Sequence, residues 1–114
     1  MLVTGASRGV GRETALQYAR AGASIAILAR TTDALAETRD TIAAATAAHG
    51  GTEADVLVLT ADVRDIESAR DAVRSVLRQF GKLDILIANA GAITSFTPSK
   101  LIPPFLSIRR LFVF

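Results

Sequence analysis

The sequence predicts an α/β fold: an open, doubly wound parallel sheet of about four strands in the order 3-2-1-4, with three helices and an irregular C-terminal tail. Three observations predict it. Strand-length apolar runs alternate with helix-length stretches at roughly 30 residues per unit, the spacing a parallel βαβ crossover requires. The apolar runs are nearly continuous rather than alternating, as in strands covered on both faces. A glycine-rich turn joins the first run to the first helix, at the junction where open sheets of this kind bind ligands.

Met1-Leu2-Val3 is a short apolar run that ends at glycine, and it reads as a buried strand. From Val10 to Ala21 the residues favour helix, with Val10, Leu16 and Ala19 or Ala21 near helical spacing, and Gly22 stops the helix. Ser24 to Ala29 is the second strand. Thr31 or Thr32 opens the second helix, Asp33 suits its first turn, Ala34 to Ala48 is rich in Ala, Leu and Glu, and His49-Gly50-Gly51 ends it. Ala54 to Thr60 holds the third strand around Val56-Leu57-Val58-Leu59. Asp65 caps a third helix in which Ile66, Ala69, Val73, Val76, Leu77 and Phe80 recur at helical spacing, and Gly81 closes it. Ile85 to Ala88 is the fourth strand. After Gly91 the pattern is lost, and Pro98, Pro103 and Pro104 interrupt residues 92–114. Two segments are therefore expected: an ordered unit over 1–91 and an irregular tail over 92–114.

The chain has 114 residues, enough for one domain. Half of them are hydrophobic, which excludes intrinsic disorder as the default. No apolar run reaches the roughly 18 residues of a membrane helix, and no secretory signal is expected. No membrane partner is expected, and the location is expected to be cytoplasmic. With no cysteine and a single His49, neither a disulfide nor a metal site is expected. A net charge of +2 gives no electrostatic case for nucleic acid.

The strongest chemical feature is Thr4-Gly5-Ala6-Ser7-Arg8-Gly9-Val10-Gly11. Gly5, Gly9 and Gly11 have separate tasks there: a tight turn, close approach of backbone to a pyrophosphate, and close packing of helix on strand. The unpaired N–H groups and positive dipole end of the helix face the same place, which suits phosphate. Asp62 ends the third strand at the carboxyl edge of the sheet, with Val63 beside it. Its carboxylate either caps local backbone or accepts a hydrogen bond from an adenine amino group. Asn89 carries both donors and acceptors and can tie strand ends together, while Ala90 and Gly91 are small enough to let a ribose pass close to backbone.

The Thr-Gly-x-x-x-Gly-x-Gly turn, the Asp62-Val63 pair, the Lys82-to-Ala88 approach and Asn89-Ala90-Gly91 together resemble the short-chain dehydrogenase/reductase family over residues 1–91. The resemblance implies a partial Rossmann domain that binds NAD(P). Its cofactor-binding residues would be Gly5, Ser7, Arg8, Gly9, Val10, Gly11, Arg30, Asp62, Val63, Asn89, Ala90 and Gly91. Members that use NAD carry an acid at the end of strand two. Here Ala29 and then Arg30 occupy that place, and Arg8 lies in the Gly-rich turn. Guanidinium groups bind phosphate through paired donors, so the two arginines favour NADP(H) over NAD(H), unless they are ordinary surface charges.

The resemblance implies hydride transfer between a nicotinamide and a carbonyl or alcohol, by a serine, a tyrosine and a lysine four residues after the tyrosine. A neighbouring cation is needed because a tyrosine near pKa 10 is a poor base at neutral pH. The single tyrosine, Tyr18, is followed four residues later by Gly22 and reads as a structural residue. Ser95 and Ser99 come too early for the family's serine. No catalytic residue carries over, so the chain is expected to be truncated before the catalytic set and inactive by itself. The tail from about Ile93 is expected not to be family sequence. Two of the three helices would cover one sheet face and the third helix the other, leaving strands one and four with exposed apolar surface. Three functions remain: the cofactor half of an NADP(H)-dependent oxidoreductase, a non-catalytic NADP(H)-binding module, or an interaction protein that pairs with a full-length relative through that face.

Overall fold

A computed structural model of the protein describes residues 1–91. The tail expected over 92–114, with Ser95 and Ser99, lies outside the described residues. Eight elements follow in order: β1 (Leu2–Thr4), α1 (Gly9–Arg20), β2 (Ile25–Ala29), α2 (Asp33–Ala48), a 3-10 turn (Glu53–Asp55), β3 (Val56–Thr60), α3 (Ile66–Phe80) and β4 (Leu86–Ile87). The sheet has four parallel strands in the order β3-β2-β1-β4. This is the partial doubly wound sheet that the sequence predicts.

Each face has its own core. Val3, Ile25, Ile27, Ala29 and Ile87 point to one face, where Ala15 and Ala19 of α1 and Leu35 and Ile42 of α2 cover them. Leu2, Ala26 and Leu28 point to the other, against Ala72 and Val76 of α3. Alternate residues of one strand thus feed two cores, which is why β2 is apolar at every position. Burying Ile25 or Ile27 stabilises the fold by roughly 1.5–3 kcal/mol each. Small residues on α1 let that helix lie close to the strands.

Of the three long helices only α3 starts under a capping side chain. Asp65 caps α3 as expected, its carboxylate accepting from the Glu67 N–H at 3.2 Å. Gly81 closes α3 at φ +74°, and Gly22 follows α1 at φ +85°. Thr32 precedes α2 but does not cap it with its side chain. Its hydroxyl instead meets the Thr60 hydroxyl at 2.8 Å, tying the end of β3 to the loop after β2.

Three expectations change. Ile66 and Leu77 share the helical spacing of α3, yet they are 65% and 45% exposed. The strip that α3 lays on the sheet is narrow and centres on Ala72 and Val76. The third strand begins only at Val56, because residues 53–55 turn tightly under a reciprocal Thr52–Asp55 capping box. Of the two strands expected to expose apolar surface on the α3 face, only β4 does, with Leu86 37% exposed. Leu2 of β1 is buried in the cluster against which Phe80 and Leu83 pack.

Candidate cofactor site

The carboxyl ends of β1, β2, β3 and β4 all lie at one edge of the sheet, because every pair is parallel. The loops that leave this edge, together with the first turn of α1, carry the candidate cofactor-binding residues. Gly5 to Arg8 leave β1, Arg30 leaves β2, Asp62 and Val63 leave β3, and Asn89 to Gly91 leave β4.

The seam between β1 and β4 is stitched by two side chains. The Thr4 hydroxyl accepts the N–H groups of Asn89 and Ala90, each at 3.0 Å, and donates to the Ile87 carbonyl at 3.4 Å. One donor and two lone pairs are all a hydroxyl has, and all three are used. The Asn89 side-chain amide donates to the Thr4 and Gly5 carbonyls at 3.3 and 3.2 Å. Asn89 is therefore tied to the strand ends, as its chemistry predicts. Thr4 is the residue that the sequence reading missed. A threonine ending a buried strand gives no sign of its partners when these lie 85 residues away.

The three glycines separate by task. Gly5 sits at φ +66°, and a Cβ there would come within 2.9 Å of the Ala90 Cα. On Gly11 a Cβ would stand 2.5 Å from both the Gly5 carbonyl oxygen and the Asn89 amide nitrogen. These two let α1 dock on the β1–β4 seam. Gly9, at φ +60°, has nothing within 4 Å of where its Cβ would be. It borders open space in front of the first turn of α1. That turn has no side-chain cap and no acidic residue, so its N–H groups and dipole remain available to an anion. The first turn of α1 is thus open to an anion, with no side chain in front of it at Gly9. Val10 is exposed beside it, and the Ser7 carbonyl is held by the Thr38 hydroxyl at 3.3 Å.

Asp62 caps local backbone, one of its two expected roles, and has a side-chain partner that the sequence reading did not name. Arg64 clasps it: Nε donates to both carboxylate oxygens at 3.0 Å, Nη2 donates to Oδ2, and the backbone N–H donates to Oδ1 at 3.0 Å. The Arg64 side-chain bonds, then its backbone N–H, hold the Asp62 pKa down to about 2, with the Arg64 and Arg30 charges as lesser causes. Local capping is thus present, and the carboxylate stays ionised as an acceptor. Arg8 and Arg30 are exposed, and neither forms an ion pair among the described residues.

Elsewhere the structure holds less. A groove of about 590 Å³ between α1 and α2, lined by Leu16, Ala45 and His49 among others, lies toward the opposite edge of the sheet and includes none of these residues. Tyr18 lies in the last third of α1, far along the helix from the Gly-rich turn. Among the described residues no group of His, Asp and Glu could hold a metal, and no helix is long and apolar enough to cross a membrane.

Comparison with known proteins agrees with this geometry. The short chain dehydrogenase family matches residues 1–106, which runs past Gly91. A short chain dehydrogenase of Monascus purpureus is 48% identical over 99 residues, covering 86% of this chain and 33% of its own. The apo-form glucose dehydrogenase of Caenorhabditis elegans superposes with a TM-score of 0.71 at 42% identity, over 79% of this chain and 36% of that one. The C-domain of a bacterial malonyl-CoA reductase, solved with NADP, gives a TM-score of 0.74 at 38% identity, over 80% of this chain and 14% of that one. The chain therefore spans about a fifth to a third of the length of the curated relatives it matches. With the family's sheet order, its glycine-rich turn and its asparagine seam all in place, the chain belongs to the short chain dehydrogenase family of oxidoreductases.

Proposed function

We propose that residues 1–91 are the cofactor-binding half of an NADP(H)-dependent oxidoreductase acting on a carbonyl or alcohol. The observation that carries this reading is the open cradle at Gly9, facing the uncapped first turn of α1. Gly5, Ser7, Gly9, Val10 and Gly11 would bracket the pyrophosphate. Asp62 and Val63 would border the adenine, with Asp62 kept ionised as an acceptor. Asn89, Ala90 and Gly91 would border the nicotinamide ribose. Arg30, and Arg8 from the turn, would take a 2′-phosphate through charge-assisted hydrogen bonds. When bound, the nicotinamide supplies or receives the hydride. The cytoplasmic location belongs to the same proposal.

The 114 residues contain no Tyr-x-x-x-Lys, so this stretch by itself is proposed to bind cofactor without turnover. A second reading, pairing with a full-length relative, is supported by the exposed Leu86 on β4 and by Ile66 and Leu77 on α3.

Titration of the chain with NADPH and with NADH, followed by nicotinamide fluorescence, tests the proposal. NADPH should bind more tightly. Arg30→Asp should weaken NADPH about tenfold or more while leaving NADH nearly unchanged, as expected when a paired donor is replaced by a repelling charge. Equal loss for both cofactors would remove Arg30 from the 2′-phosphate.

A further inference from the structure

Arg30 and Asp62 leave adjacent parallel strands almost level with each other. β2 and β3 pair with Ala29 opposite Thr60, and the Ala61 N–H donates to the Ala29 carbonyl at 2.9 Å. The Arg30 charge is near enough to act on the Asp62 carboxylate. Yet the pair that forms is Asp62 with Arg64, through three donors of the same residue. A carboxylate offers about four lone-pair sites. Arg64 makes two contacts to each oxygen and supplies a full compensating charge, so Arg30 stands beside a neutralised acid with no ion pair of its own among the described residues.

We propose that Arg64 is a specificity-determining residue: by occupying Asp62 it keeps Arg30 free for a 2′-phosphate and shields that phosphate from the Asp62 carboxylate. The inference rests on the reading of Arg30 above. Without Arg64 the cluster of Arg30, Asp62 and Arg64 loses its net positive charge. Asp62 then has Arg30 as its next cation. A 2′-phosphate must displace that contact and meets an uncompensated carboxylate. A ribose with a free 2′-hydroxyl meets neither cost. Removal of Arg64 should therefore penalise NADPH and spare NADH, although Arg64 need touch neither cofactor.

The test is the ratio of NADH to NADPH dissociation constants, measured by fluorescence on the full chain and a set of variants. Arg64→Ala should lower that ratio about three- to fivefold, the scale of an exposed charge pair, and the change should shrink at high salt. Arg64→Lys keeps the charge but loses the paired donors, and should fall between. Asp62→Asn combined with Arg64→Ala should restore the ratio, since no carboxylate is then left to compensate. An unchanged ratio in Arg64→Ala, with Arg30→Asp still abolishing the preference, overturns the inference and leaves the reading of Arg30 intact. An unchanged ratio in both variants overturns that reading and the inference with it. Failure of the unaltered chain to bind either cofactor overturns both.

Discussion

Thr4 concentrates the consequences that a single side chain has here. Its hydroxyl is the shared partner of Asn89, Ala90 and Ile87, in a buried position between β1 and the edge strand β4. Thr4→Val keeps the shape and removes the hydroxyl. The Ala90 N–H is then left without its acceptor, so we expect a loss of about 1–3 kcal/mol in thermal or urea unfolding, with Thr4→Ser much milder. A stability of Thr4→Val within error of the parent would show that water replaces the hydroxyl. The same scale shows where reading residues one at a time succeeds. The roles of Gly5, Gly9 and Gly11 follow from their spacing after a strand, since only glycine permits that turn and that approach. Arg64, which clasps Asp62, was missed although it stands only two residues on, where its side chain can fold back onto the carboxylate. Nothing near Thr4 in the chain announces its three partners.

At the level of elements, α3 is set by its cap more than by its neighbours. Asp65 is the one capping side chain among the three long helices, and α3 buries only two residues deeply. Asp65→Ala is expected to cost about 1 kcal/mol, read from the denaturation midpoint, and more than an alanine at Thr32, whose hydroxyl does not cap α2. Equal effects at the two positions would show that the Asp65 bond to Glu67 is not what holds the start of α3. Sheet order and helix number were legible because periodicity, glycine stops and right-handed crossovers act locally or by general rule. Which residues of α3 face the sheet was less legible. Spacing places Ile66 and Leu77 on the apolar side, but contact depends on how much sheet lies beneath them. The start of β3 was blurred for a similar reason, since Thr52 and Asp55 spend three residues on a turn that apolar spacing does not register.

For the whole molecule the two sheet faces are unequal. Two helices cover one and a single helix the other, and the second face keeps an apolar strip. Val63, Ile66 and Val73 line a shallow groove of about 460 Å³, with Leu86 half-exposed on the edge strand. Such a surface favours association. Ile66→Glu with Leu77→Lys replaces exposed apolar groups by charges that also suit the two ends of the α3 dipole. Light scattering on this double variant should show less concentration-dependent association, with unfolding changed by no more than about 0.5 kcal/mol. Association unchanged from the parent would place the contact elsewhere.

The order of the strands also sets the order of events as the chain acquires its shape. β1 is made first in sequence but sits between β2 and β4, and its seam with β4 spans nearly the whole described chain. Closing so long a loop carries a larger entropy cost than pairing β2 with β3, and contacts so distant in sequence slow folding. The β2–β3 pair can zip early, whereas Thr4 must wait for Asn89. β2 and β3 can therefore pair before Asn89 is there to close the β1–β4 seam. The two sides of the sheet's carboxyl edge are thus separated in time by the synthesis of α3.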